Sequence, residues 1–209
     1  ISPRMEQIAD RGLFLPYPEK TQAGLSLAGC GGVPIYSVAF PERVFASFDE
    51  VPRLMSESLL FIENRELFDE RHPEHNPAIE WDRFGKAVVD RAWQMIDPDH
   101  DGGGGSTLAT QIEKYRHSPE GRTTSGSEKL RQMASASIRA YMGGEDTRPE
   151  RRRIVLEYLN TVPLSARAVF GEVNGMGDGL WAWYGRDLTE VSRLLADPEA
   201  GRIGAGAPA

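Results

Sequence analysis

Apolar residues that recur every three or four positions constrain the fold of this chain more than any other feature. From Val51 onward, Met55, Leu59 and Ile62 keep this spacing, which predicts an amphipathic helix running to about residue 68. Breaker and capping residues predict further helices over 78–96, 106–114, 128–142, 150–159 and 188–195. The sequence therefore predicts a mainly α domain.

A small N-terminal β hairpin is expected before these helices. Residues 34–48 are rich in β-forming side chains, and 41–43 is the predicted turn between two strands. The expected organisation is a loop-rich segment over 1–33, one domain over 34–197 and a flexible tail over 198–209.

The composition excludes several classes of protein. The 209 residues include 24 Lys+Arg and 31 Asp+Glu, and this net charge of −7 argues against general nucleic-acid binding. Cys30 is the one cysteine, so neither an intrachain disulfide nor an all-cysteine zinc site can form. No run approaches the roughly 20 apolar residues of a membrane-spanning helix. Because the chain opens without Met and ends in the small-residue run 201–209, we expect either an excised piece of a longer protein or a mature form.

Glu63 is the first candidate catalytic residue. It follows Leu59 by one helical turn and lies beside Ile62, at the edge of the apolar face. A carboxylate half-removed from water has a raised proton affinity, which suits a general base. The position also fits an ordinary boundary glutamate paired with Arg65, and spacing alone leaves both interpretations open.

A glycine-rich segment that enters a helix forms a second candidate site. Ser106 or Thr107 is expected to cap this helix, whose N-terminal N–H groups favour an anion. Thr107, Gln111 and Lys114 then lie along one face and offer a hydroxyl, an amide and an ammonium group. The segment lacks the Gly-Lys-Ser/Thr ending of a P-loop, so it does not predict nucleotide hydrolysis. A glycine linker before a capped helix is the alternative.

The charges are distributed unevenly along the chain. Residues 113–153 hold ten Lys/Arg and six acids, whereas residues 63–101 hold eleven acids and five bases. A cationic segment and an acidic, base-bearing segment would suit transfer from a pyrophosphate leaving group. Solvated surface is the alternative for both.

Two further clusters are interpreted as loops. Residues 97–102 resemble the start of a calcium loop, but Leu108 stands where a bidentate glutamate is needed. His72 and His75 have no convincing third ligand nearby, so no metal-ligating residues are predicted.

Five segments carry a resemblance to a known family and keep its order: 48–52, 62–65, 104–114, 154–160 and 181–189. Gly-Gly-Ser-Thr-Leu-Ala-Thr-Gln-Ile-Glu-Lys at 104–114 is the most specific of them. Together they resemble the peptidoglycan glycosyltransferase (transglycosylase) domain of bifunctional penicillin-binding proteins, glycosyltransferase family 51. The resemblance implies a lysozyme-like helical fold that polymerises lipid II. The acceptor 4-hydroxyl attacks a donor linked to undecaprenyl pyrophosphate.

Residue by residue, the resemblance implies that Glu63 is the catalytic base. Gln111 and Lys114 would bind the sugar–pyrophosphate region of the donor, and Glu157 and Asn160 would brace the cleft. The other implied substrate-binding residues are Ser106, Thr107, Lys129, Arg131 and Gln132. The implied surroundings are the bacterial periplasm or the outer face of the inner membrane. The implied partners are a lipid-linked precursor, a glycan strand, the membrane surface and other envelope proteins, with Mg or Mn as the candidate cofactor.

Several residues depart from the family pattern. Asn64 replaces an aspartate, a longer segment at 69–77 replaces a short histidine-containing one, and Gln132 stands where a second glutamate belongs. Glutamine cannot supply the negative charge of that glutamate. Glu128, one helical turn earlier, is the candidate to replace it. The sequence therefore leaves two main functions open: an active, divergent glycosyltransferase, or a degenerate domain that binds glycan, precursor or protein. A lysozyme-like hydrolase ranks last, since no second carboxylate has a matching motif.

Overall fold

The structure is a computed structural model, and it describes residues 23–79, 106–117 and 125–196. These residues form helices α1 (Arg53–Glu63), α2 (Leu108–His117), α3 (Gly126–Ala140), α4 (Arg148–Thr161), α5 (Met176–Tyr184) and α6 (Leu188–Ala196). They also form two antiparallel hairpins, β1 (Ala23–Ala28) with β2 (Pro34–Phe40), and β3 (Pro163–Arg167) with β4 (Gly171–Asn174). The prediction of a mainly α fold with a small N-terminal hairpin is confirmed.

The described residues belong to two compact units. The first, here called unit A, comprises 66–79, 106–117 and 125–151, and the second, unit B, comprises 23–65 and 152–196. Within these residues, no helix is both long enough and apolar enough to cross a membrane. The predicted helix over 78–96 lies almost wholly outside the described residues.

The N-terminal hairpin differs from its predicted bounds. Residues 34–40 do form a strand, but its partner is 23–28, so the expectations of loop at 23–28 and strand at 44–48 are wrong. Gly31 and Gly32 supply the turn with φ of 112° and 78°, which glycine adopts without steric cost. Residues 41–43 cannot close a hairpin because Asp178 accepts their backbone N–H groups, from Glu42 at 2.8 Å and Arg43 at 3.1 Å.

Helix α1 begins at Arg53, two residues later than predicted, and ends at Glu63 rather than near residue 68. Asn64 is extended, with φ of −162°, and its side chain is buried, which ends the helix at Glu63. Leu60 faces the core of unit B, and α1 packs against α6. The extended conformation of Asn64 therefore makes Glu63 the last helical residue.

Helices α2 and α3 pack together in unit A. Thr107 caps α2: its N–H donates to Thr110 Oγ1 at 2.9 Å, and its own Oγ1 accepts from the Thr110 N–H at 3.3 Å. The predicted cap is confirmed, although α2 continues to His117, beyond Lys114. Ser125 caps α3 by accepting from the Glu128 N–H.

The C-terminal part of unit B contains elements that the sequence interpretation missed. No strand or helix is predicted over residues 160–187, but the structure forms the hairpin of β3 and β4 there, followed by α5. Gly177 lies so close to the backbone of Arg43 that a Cβ would fall 2.0 Å from its carbonyl oxygen. This close approach requires glycine and packs α5 onto the 41–43 segment.

Candidate active site

Glu63 is half-buried at the C-terminal end of α1. It follows two largely exposed apolar residues, Phe61 and Ile62, and comes three residues after the buried Leu60. Arg65 contacts Phe61: its Nε donates to the Phe61 carbonyl at 3.1 Å, and its guanidinium lies 4.0 Å from the ring centroid. Ile62 is 73% exposed and therefore lies off the buried face on which the spacing placed it, whereas Glu63 itself is half-buried.

Two further predicted residues of unit B, Asn160 and Glu157, lie on α4. The Asn160 side chain accepts from the Phe45 N–H and donates to the Phe45 carbonyl, both at 2.9 Å. These two hydrogen bonds fix the backbone of the segment that precedes α1, which is a structural role for Asn160. Glu157 is half-buried, and its Oε2 lies 3.5 Å from Nη1 of Arg153.

The predicted residues of α2 fall into two kinds. The Thr107 hydroxyl is buried and serves the cap, with its oxygen also 3.4 Å from the Ala78 carbonyl. Ser106 is exposed, whereas Gln111 and Lys114 are half-buried. Among residues 108–114 of α2, the part whose side chains the structure describes, Gln111 and Lys114 are partly accessible.

Glu113 is a residue of α2 whose side chain contacts α3, and the sequence did not predict a structural role for it. Its side chain is 1% exposed, and its two oxygens accept from Ser135 Oγ and Arg139 Nε, both at 2.8 Å. A buried carboxylate needs such partners, because removing a charge from water costs several kcal/mol. This ion pair fixes the packing of the two helices that carry the predicted anion-binding side chains.

The predicted residues of α3 differ in exposure. Arg131 is exposed, Lys129 is half-buried, and Gln132 is 3% exposed. A glutamate at 132 would have to bury a charge, whereas glutamine buries only an amide. Helices α2 and α3 together carry five Lys/Arg and two Glu, so the pair is cationic.

Arg151 and Asp178 organise the neighbouring backbone, and sequence reasoning missed both. Arg151 is 1% exposed and donates to carbonyls of the 66–79 segment, and burial lowers the pKa of its guanidinium. Asp178 also accepts from Nη1 of Arg43 at 3.2 Å, in a pocket of about 340 Å³ that Phe170 and Trp181 help to line. Neither position carries a pattern that distinguishes it from a surface charge in the sequence.

Among the described residues, no three His, Cys, Asp or Glu side chains lie close enough together to hold a metal ion. His72 Nδ1 lies 3.6 Å from Glu74, and burial, followed by the charge of Arg151, lowers the pKa of His75. The calcium-loop-like residues 97–102 lie outside the described residues.

These features define a mainly helical domain with a half-buried carboxylate in unit B and a cationic helix pair in unit A. A model of the transglycosylase family matches residues 32–199. The chain therefore belongs to the transglycosylase family, which indicates peptidoglycan glycosyltransferase activity in general and binding of glycan or its precursors. No curated protein matches the chain.

Proposed function

We propose that this domain polymerises lipid II, and that Glu63 is the base. The family match supports the reaction class, and the half-buried position of Glu63 supports its role. A general base must be reachable by the acceptor hydroxyl, and a half-buried carboxylate at the end of a helix meets that requirement. This position is the single structural observation on which the assignment depends most.

In the proposed reaction, Glu63 removes the proton of the acceptor 4-hydroxyl as the oxygen attacks the anomeric carbon of the donor. The bond from that carbon to the pyrophosphate oxygen breaks, and the electron pair leaves with undecaprenyl pyrophosphate. Lys114 stabilises the negative charge on this leaving group, and Gln111 hydrogen-bonds the adjoining sugar. Both side chains are partly accessible, as these roles require.

The remaining predicted residues have supporting roles in this proposal. Lys129 and Arg131 add positive charge on α3. Asn160 positions the entry to α1 through Phe45 rather than by touching substrate. Ser106 is exposed and available to the substrate, whereas Thr107 and Gln132 are buried and act through the helices that they stabilise.

A divalent cation, Mg or Mn, is a further part of the proposal. The described residues do not supply a ligand set for it, because no cluster of three suitable side chains is found among them. No step above therefore depends on the ion, and its addition is a variable of the assay. We place the reaction in the bacterial periplasm or at the outer face of the inner membrane, with envelope proteins as further partners.

A degenerate, binding-only domain is the second candidate, and Gln132 favours it. The family's second glutamate is missing there, and the amide is buried where it provides no negative charge. In this case the domain would hold glycan, lipid-linked precursor or a protein partner without transferring sugar.

Labelled lipid II in detergent, with Mg or Mn, separates the two candidates. Glycan polymer from the wild-type chain establishes the transferase, whereas bound but unpolymerised lipid II under every condition establishes the binding domain. Analysis of added glycan strands for new reducing ends tests a hydrolase in the same samples. Gln132→Glu is an informative companion variant: more polymer from it would show that the missing charge limits the reaction.

A further inference from the structure

The β1–β2 hairpin exposes large apolar side chains and carries no charge. Its 18 residues, 23–40, contain no Asp, Glu, Lys or Arg. Leu25, Leu27, Ile35 and Tyr36 are 48%, 49%, 73% and 51% exposed, and Val33 at the turn is 66% exposed. Within the described residues, the two strands pack extensively only against each other. Large apolar side chains exposed together on an uncharged surface mark a site of contact with a membrane or another protein.

The exposed side chains project from both faces of the hairpin. Leu27 pairs with Tyr36 across the strands, and Leu25 precedes Leu27 by two residues, so these three share one face. Ile35, adjacent to Tyr36, lies over Gly29, where a Cβ would meet its Cδ1 atom at 3.4 Å. A protein partner docked on one face would leave the other apolar side in water.

The three described apolar side chains of this face are also too small to form a stable protein interface by themselves. Leu25, Leu27 and Tyr36 together expose on the order of 300 Å², against roughly 800 Å² that each partner buries in a stable complex. A lipid surface has no such requirement, because it surrounds an inserted tip from all sides. Because the hairpin carries no charge, no ion has to be dehydrated when it enters the membrane boundary, and it offers no ion pair to a charged partner.

Two backbone N–H groups of the turn are already bonded within the hairpin. Gly29 N–H donates to the Val33 carbonyl at 2.9 Å, and Gly32 N–H donates to the Gly29 carbonyl at 3.0 Å. Polar backbone groups that are bonded internally lower the cost of entering an apolar phase. Tyr36 has the amphipathic ring that is enriched at membrane–water boundaries.

We propose that the 23–40 hairpin inserts its tip into the interfacial region of a lipid bilayer and seats this domain on the membrane. The binding is monotopic, by a β hairpin rather than by a spanning segment. This inference gives a structural element to the membrane association proposed above, but it does not require lipid II or transfer activity.

Vesicles of phosphatidylcholine and the complete 209-residue chain provide the test. We expect the chain to co-sediment with vesicles, and Leu25→Ser with Leu27→Ser to lower the partition coefficient by roughly thirtyfold or more. The matched control is Leu130→Ser with Leu194→Ser, two leucines of similar exposure on helices, which should change it by less than about threefold. Equal losses in the two double variants would overturn the proposal.

Cys30 allows a second measurement that requires no apolar substitution. It is the single cysteine, it is exposed, and it lies in the turn of the hairpin. An environment-sensitive fluorophore on Cys30 should shift to the blue with vesicles and be quenched by lipid-borne quenchers. An unshifted fluorophore on vesicle-bound chain would contradict the proposal. A dimer that forms without lipid and dissociates in the Leu25→Ser/Leu27→Ser variant would also contradict the proposal. In that case a second copy of the chain, rather than lipid, would cover the hairpin. None of these outcomes bears on polymerisation, which is measured separately.

Discussion

Replacing Arg151 should reveal how the 66–79 segment is held in unit A. Arg151 Nε donates to Thr147 Oγ1 at 2.9 Å, Nη1 donates to the Asp69 carbonyl at 2.9 Å, and Nη2 donates to the His72 carbonyl. A weaker bond reaches His75 at 3.2 Å. The side chain is 1% exposed, so water replaces these bonds poorly when it is removed.

The expected magnitude follows from these bonds. Each hydrogen bond to a charged donor contributes about 1.5–3 kcal/mol, and three of them are short. Desolvation of the guanidinium in the native protein offsets part of this sum, so we expect Arg151→Met to lower the free energy of unfolding by about 3–5 kcal/mol. The melting temperature should fall by about 2–4 °C for each kcal/mol.

Arg151→Lys tests whether charge or geometry is responsible. Lysine keeps the positive charge, but its ammonium cannot reproduce the planar fork that contacts several carbonyls at once. We expect it to rescue little of the loss. Urea unfolding followed by circular dichroism measures both variants. A loss below about 1 kcal/mol for methionine, or near-complete rescue by lysine, would refute the reasoning.

Three further perturbations test other contacts. Glu113→Ala should destabilise the protein by about 3 kcal/mol in urea unfolding, because it leaves Arg139 without its buried partner; Glu113→Gln, which keeps the shape, should lose less. Asn160→Leu should cost about 2 kcal/mol in the same assay, since both hydrogen bonds to the Phe45 backbone are lost. The pKa of His75 is lowered in the folded protein, so the unfolded chain binds a proton at a higher pH than the folded chain does. Protonation therefore favours unfolding, and stability should fall as the pH drops below about 6.5. Melting curves of His75→Asn should show a smaller fall over that range.

The helical part of the fold was predictable because its signals are local. The spacing of Val51, Met55 and Leu59 predicts α1, and the capping position of Thr107 predicts the start of α2. The end of α1 was not predictable in the same way. It depends on burial of Asn64 and on the packing of residues far away in sequence, which a local pattern does not contain.

The N-terminal hairpin illustrates a second limit. Residues 34–40 were correctly predicted as a strand, but their partner was sought after them at 44–48 instead of before them. The alternation in 23–28 and the glycine turn after it were available signals. What excluded 44–48 was a long-range contact, the side chain of Asp178 bound to the backbone at 42–43.

The residues of the candidate site were partly predictable from the sequence, whereas the structural roles of their neighbours were not. Glu63, Gln111 and Lys114 were identified by type and spacing, and each is partly buried rather than fully exposed or enclosed. The structural duties of Asn160 and Glu113 were not predictable, since they depend on backbone or side-chain partners more than 20 residues away in sequence.

Polymerisation of lipid II by matched glutamate variants tests the central proposal most directly. Glu63→Gln removes the proposed base, whereas Glu57→Gln changes an exposed glutamate of the same helix that pairs with Arg53 at 2.6 Å. We predict that Glu63→Gln lowers the initial rate at least about a hundredfold while lipid II binding is retained, because a general base contributes about 10²–10⁴. Glu57→Gln should retain the wild-type rate. Polymerisation by Glu63→Gln at the wild-type rate would contradict the account.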